Sequence, residues 1–382
     1  MKTCRHSLIF GLSYALDIAG KNNLSHSKST AYLAVMIARE IGLEEEKVLD
    51  LYNAALLHDI GLSNTYDIRQ HCVDGEIMLK ELPLPETIAS DVYYHHEFFD
   101  GSGVFGRSGD SIPIGAQIIC FASTFDDLFG RLSDGYNRNL YLVACGWLDT
   151  NRDLFSGVIV NAFENLMKRE HFLLDYFSNG TIHALSDKLV VGDYLRYGND
   201  DVLKYANCFA NIIDCRSPFT YSHSNGIAEL ARRTSAHMGY SDATQNMMYI
   251  AGLLHDIGKL HISVDILHKR DKLSPEERFE INKHTYYTRK ILEQISGFED
   301  IVNYAANHHE KLDGTGYPYR MQGELLGELD RIMAICDVYQ ALTEERPYRD
   351  KLPPYRVWSI IDDMAEKSHL DKSLVYRVKH VF

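Results

Sequence analysis

The stretch Leu254-His255-Asp256-Ile257-Gly258-Lys259 puts an imidazole, a carboxylate and an ammonium within six residues. On a helix, Lys259 falls three residues after Asp256 and four after His255, so the three can face one cavity. Two metal-ligand side chains beside a cation make a phosphate-handling arrangement. An isolated His-Asp pair would by default be read as a hydrogen-bonded couple inside a helical core. This pair has company: His223 precedes it, and His284, His308, His309 and Asp337 follow, all among helical apolar patterns. Seven such groups, separated by several turns, are what a bundle needs to bring ligands inward from different helices. A mixed imidazole and carboxylate set suits iron or manganese first, with zinc, nickel or cobalt also compatible, and contains no thiolate to demand a softer ion.

The spacings repeat. His26 to His58 and His223 to His255 are each 32 residues apart, and His71 to His95 and His284 to His308 are each 24 apart. The large difference is the interval after the His-Asp pair, 13 residues in the first half and 29 in the second. With His96 and His309, which follow His95 and His308 directly, ten of the eighteen histidines belong to these matched sets, which predicts a duplicated helical domain. The elements fit. Helices are expected over 6–20, Ser29–Ile41, Glu45–His58, Ile112 to about Phe129 and Leu140 to Phe177, and strand signals are almost absent. The predicted fold class is all-α, two tandem helical bundles over 1–190 and 191–382, divided in the polar stretch 186–201.

Composition limits the partners. With 39 basic and 53 acidic residues the net charge is −14, which disfavours a nucleic-acid polymer or an anionic membrane surface and requires a local cationic pocket for any anion. Seven scattered cysteines without a Cys-x-x-Cys pair argue against a disulfide framework or zinc knuckle and fit a reduced, cytoplasmic setting. The apolar run Leu8–Leu16 is too short to span a membrane, so a soluble protein without an export signal is expected.

The second half resembles the HD-GYP phosphodiesterases, bacterial HD-superfamily enzymes that cleave cyclic dinucleotides. The resemblance runs from about Asp201 to Arg356. It is carried by Tyr221-Ser222-His223-Ser224, His255 to Lys259, His308 through Gly316-Tyr317-Pro318, and Asp337 followed by Arg346-Pro347-Tyr348-Arg349. It implies that His223, His255, Asp256 and Asp337 hold one metal ion and that Asp256, His284, His308 and His309 hold another, with Asp256 bridging. Two ions about 3.5–4 Å apart acidify a bridging water and stabilise in-line displacement at phosphorus. Asp256 and Lys259 would then be catalytic, Lys259 by neutralising a phosphoryl oxygen. Tyr317, Pro318, Arg346 and Arg349 would contact substrate, Arg349 standing where Lys is usual. Phe219 occupies the position of a glutamate that some members associate with a third metal, so two ions are expected. The implied activity is hydrolysis of cyclic di-GMP to linear pGpG, and onward to GMP, with cyclic GMP-AMP as an alternative substrate. A non-catalytic nucleotide sensor is a competing reading. An HD phosphohydrolase of mononucleotides or an alarmone would leave Tyr317, Arg346 and Arg349 without a purpose.

The first half reads as a degenerate HD domain. It keeps His26, His58, Asp59, His71, His95 and His96, but Leu62 replaces the lysine, Ser123 aligns with Asp337, and Gly103-Val104-Phe105 replaces Gly-Tyr-Pro. The five histidines and Asp59 leave metal binding open, and Asp126 and Asp127 read first as exposed helix-end carboxylates, with a substitute ligand role as the alternative. The sequence leaves open whether this domain regulates, forms a homodimer or only supports its neighbour.

Overall fold

The computed structural model describes residues 3–20, 25–63, 67–130, 138–177, 196–216, 221–269, 271–344 and 351–381. The chain divides into two compact units, Cys4–Arg196 and Tyr197–Phe382, with Thr3 counted to the latter. Both are helical. Among the described residues, β structure is limited to the two-residue strands Thr3–Cys4 and Arg196–Tyr197, where the division falls, and a single bridge between Asp313 and Gln322. No helix among the described residues is long and apolar enough to cross a membrane.

In the first unit, helices span Arg5–Gly20, His26–Glu40, Glu45–Leu57, Ile68–Lys80, Glu86–Tyr93, Ile114–Phe129, Arg138–Asn151, Gly157–Met167 and Glu170–Phe177. The second of these begins at His26 rather than Ser29. The cause is Asp17, whose carboxylate accepts from the Ser27 backbone N–H at 3.1 Å and the Ser27 hydroxyl at 2.7 Å, capping the helix from outside its own sequence. The expected run from Leu140 to Phe177 is broken twice, once by a 3₁₀ turn at Arg152–Leu154. Phe121, Phe125, Phe163 and Phe172 are fully buried, and Phe163 meets Phe121 and Phe125 edge-on at 4.9 Å. This aromatic core anchors Ile114–Phe129, the helix that carries Ser123 and Asp126.

In the second unit, His223 lies on Tyr221–His237 and Asp337 on Glu328–Thr343. The helix Asp242–Leu254 is capped by Ser241 and stops just before His255. His255 to Lys259 is therefore not helical throughout: a 3₁₀ turn covers Ile257–His261. Because residues three apart eclipse in a 3₁₀ turn, Lys259 still stacks over Asp256. The helix Pro275–Leu292, bearing His284, starts with proline and a capping box in which Ser274 and Glu277 satisfy each other's backbone N–H groups at 3.2 and 2.7 Å. The helix Glu299–Ala306 ends one residue short of His308 and His309.

Candidate functional site

The second unit brings all seven expected ligand residues together. His223, His255, Asp256, His284, His308 and Asp337 are buried and His309 is partly so. Asp256 sits between two clusters: one oxygen is 3.2 Å from His255 Nε2, the other 3.3 Å from His284 Nε2. Asp337 plays a similar part, 3.6 Å from His223 Nε2 and 3.8 Å from His309 Nδ1. The sets His223/His255/Asp256 and His284/His308/His309 each keep their ligand atoms within 4.8 Å of one another.

Hydrogen bonding decides what the imidazoles offer. His255, His284 and His308 each place Nδ1 on the carbonyl three residues earlier, those of Gly252, Ile281 and Ala305, at 2.8, 2.7 and 2.7 Å. A carbonyl only accepts, so Nδ1 carries the proton and Nε2 turns a lone pair inward. His284 Nε2 and His308 Nε2 then face each other at 3.3 Å, an arrangement that repels unless a cation lies against both. Burial pushes the His284 pKa down to about 3 and that of His308 well below the ordinary range, so both present neutral, ligand-ready rings. The donor set fits divalent metal.

His223 differs. Burial opposes its charge, but hydrogen bonds to Asp337 and Glu344 outweigh that and raise its pKa to about 9. A metal ion bound to His223 Nε2 would displace this proton. Below pH 9 the metal-free ring is protonated, so apparent metal affinity should climb about tenfold per pH unit between pH 6.5 and 8.5 on account of this one proton. Metal titrations across that interval check it, and a flat affinity would contradict the assigned protonation.

Lys259 lies beside Asp256 and hydrogen-bonds to it, its side chain a quarter exposed. Tyr317 is half-buried, its ring centroid 4.9 Å from His309 and 6.4 Å from His284, and burial raises its phenol pKa so that it stays a donor. Pro318 follows it, while Arg346, Arg349 and Phe219 lie outside the described residues. Glu310 is a functional group the sequence reading passed over. It is 3% exposed and accepts from the backbone N–H groups of Tyr319 and Met321 at 2.8 and 2.9 Å, tying the Gly-Tyr-Pro loop under the site. Gly316 packs so closely there that a Cβ would stand 2.5 Å from Glu310 Cα. Glu97 and Gly103 repeat the device in the first unit: Glu97 accepts from Phe105 and Arg107 N–H at 2.6 and 2.5 Å, and a Gly103 Cβ would meet Glu97 Cα at 2.5 Å. A signal existed, since His-His-Glu occurs in both halves.

The first unit also assembles its set. His26/His58/Asp59 and His71/His95/His96 each form a cluster with ligand atoms within 4.8 Å. Ser123 Oγ lies 3.4 Å from His26 Nε2, the place Asp337 takes beside His223. Leu62 is 45% exposed. Asp127 is exposed as expected, but Asp126 is fully buried, which overturns that part of the reading. Its carboxylate accepts from Tyr176 Oη at 2.5 Å and holds His26 Nδ1 at 2.6 Å. Helical periodicity at a chain segment's end did not reveal that Glu170–Phe177 folds back over it.

Comparison with known proteins agrees with both halves. HD-domain family models match residues 207–374 and 23–127. The chain is 30% identical to the 3'3'-cGAMP-specific phosphodiesterase 1 of Vibrio cholerae, over 96% of this chain and 89% of that protein. It is 30% identical to phosphodiesterase 3 of the same name and organism over 78% and 63%. A cyclic di-GMP phosphodiesterase of Thermotoga maritima is 29% identical over 54% and 53%. The crystal structure of a V. cholerae cyclic GMP-AMP-specific phosphodiesterase, V-cGAP3, superposes over 100% of this chain and 98% of that one with a TM-score of 0.75 at 22% identity, a likeness of fold. Matched over nearly its whole length, the chain belongs to the HD-GYP family of metal-dependent cyclic dinucleotide phosphodiesterases and carries two HD domains.

Proposed function

We propose that the second domain linearises 3'3'-cyclic GMP-AMP, with cyclic di-GMP, which would give pGpG, as the second reading. The observation that carries the hydrolytic part is the convergence of seven ligand groups, Lys259 and Tyr317 on one buried centre. The order of substrates follows the relatives: the two that align with most of this chain are named for cyclic GMP-AMP, whereas the cyclic di-GMP enzyme aligns with about half.

In this reading His223, His255, Asp256 and Asp337 hold one ion, and Asp256, His284, His308 and His309 the other. Two divalent ions, iron or manganese in the first instance, would acidify water and neutralise phosphoryl charge. Asp256 keeps the two ligand sets in register and orients the Lys259 ammonium. Lys259 supplies positive charge to a non-bridging phosphoryl oxygen. Tyr317 donates its phenol proton and offers a flat face to a nucleobase, next to Pro318. Arg346 and Arg349 contribute the cationic charge that an acidic chain needs to hold two phosphates.

Lys259→Ala should keep its metal yet lose on the order of 10²-fold in kcat, the usual cost of one charge-stabilising donor. Elemental analysis beside initial rates separates the two effects, and an unchanged rate would remove Lys259 from the site. For the substrate, metal-replete protein is incubated with 3'3'-cyclic GMP-AMP, cyclic di-GMP and cyclic di-AMP and the products are resolved chromatographically. The highest kcat/KM is expected for cyclic GMP-AMP. Preference for cyclic di-GMP would select the second reading, and no turnover of any would sink both.

A further inference from the structure

We propose that the first HD domain holds a pair of divalent cations of its own and that its acidic mouth keeps phosphoester anions out, so that free metal, not nucleotide, sets its occupancy. This does not depend on which cyclic dinucleotide the second domain cleaves.

The first argument is the tautomers. His58 Nδ1 lies 2.8 Å from the Ala55 carbonyl and His95 Nδ1 2.5 Å from that of Val92, so both rings turn an unprotonated Nε2 inward. His58 Nε2 meets His26 Nε2 at 3.2 Å, and His95 Nε2 meets His71 Nε2 at 3.3 Å. Asp59 joins the two pairs, one oxygen 3.5 Å from His58 and 3.6 Å from His71, the other 3.9 Å from His26. His58, His71 and His95 are at most 1% exposed, so the unprotonated Nε2 atoms of His58 and His95 are held in a buried cluster facing His26 and His71. Asp126 completes a carboxylate–imidazole pair on His26, as Glu344 does on His223, an arrangement that orients a metal-ligating ring. Leu62 in place of lysine has not loosened this set.

The second argument is charge. The cavity above the cluster, about 270 Å³, is lined by Asp17, Asp59, Asp126 and Asp127, and no lysine or arginine is among its described lining residues. Where the second domain offers Lys259 to a phosphoryl oxygen, Leu62 stands here. Four carboxylates, set against the imidazole of His26 paired to Asp126 and with no lysine or arginine in the described lining, attract divalent ions and disfavour a dianionic dinucleotide.

The test uses the full chain, reconstituted with Mn²⁺ and freed of loosely bound ion. Elemental analysis should give about four ions per chain, falling to about two in Asp59→Asn/His96→Gln and, separately, to about two in Asp256→Asn. Two ions in the unmodified chain, all lost in Asp256→Asn, would overturn the proposal. Should the double variant fail to fold, Ser123→Asp answers instead: restoring the carboxylate found at Asp337 should tighten Mn²⁺ binding against a chelator by at least about tenfold. Unaltered affinity there would also overturn it. For exclusion of nucleotide, equilibrium dialysis of Asp256→Asn with 3'3'-cyclic GMP-AMP should find at most one molecule per chain, the same with Asp59→Asn added. A second molecule that disappears with Asp59→Asn would refute the claim that phosphoesters are kept out.

Discussion

Asp256→Asn is expected to abolish turnover and empty the second domain of metal while leaving the fold intact. Asp256 touches both ligand clusters more closely than Asp337 does, one oxygen on His255 and the other on His284. Asparagine has the same shape, but it replaces one of those oxygens with an amide N–H₂ donor and removes the negative charge that offsets two dications. The centre then loses its shared ligand, and Lys259 loses its ion-pair partner. Two ions contribute several kcal/mol of transition-state stabilisation, which at about 1.4 kcal/mol per tenfold corresponds to roughly 10³–10⁵ in rate. Product formation, metal content and circular dichroism, measured on one preparation, check the three parts together. Residual activity above about one hundredth of the parent with metal still bound would mean that Asp256 does not bridge. Asp59→Asn serves as the matched control, because its loss should leave the second domain's metal in place.

The histidine spacings carried most of what could be read beforehand. Intervals of 32 and 24 residues, repeated, require two copies of one helical plan, and the described structure has both copies with their ligand sets closed. Local pattern was less informative where tertiary contacts override it. The helix at His26 starts early because Asp17, ten residues before Ser27, caps it, and the His255–Lys259 motif leaves α-helical geometry although the spacing of its functional groups suggests a continued helix; Asp256 and Gly258, both poor helix formers, fit the break. Asp126 was misjudged for the same reason: burial comes from Tyr176, fifty residues away. Glu344 had no sequence signal, since it reaches His223 from the far end of a helix whose functional residue is seven positions earlier. Side-chain reach across a bundle is a property of packing, and one sequence does not encode it in any short window.

A glycine that touches no ligand should matter nearly as much as the ligands. Gly258 lies against the helix Pro275–Leu292: a Cβ there would stand 1.9 Å from the His284 carbonyl oxygen and 2.5 Å from the Thr288 nitrogen, backbone atoms that cannot swing aside. That contact is also pinned, because Gly258 N–H donates to Thr288 Oγ1 at 3.0 Å and Thr288 Oγ1 donates to the His255 carbonyl at 2.9 Å. Gly258→Ala must therefore push the helix outward by more than an ångström, carrying His284 away from Asp256. Overpacking of this kind costs about 1–3 kcal/mol of stability, and a 1 Å misplacement about 10²-fold in rate. The variant should melt at lower temperature, hold less metal and lose at least that much in kcat, with the thermal shift reduced by saturating Mn²⁺, which rewards the native spacing. Gly61 makes the same approach in the first domain, its Cβ position 2.0 Å from the His71 carbonyl oxygen. Gly61→Ala should therefore strip metal from the first domain and spare the second. If Gly258→Ala kept parental activity and metal content, close backbone contact between the His-Asp turn and the following helix would not be what sets the distance between the two halves of the centre.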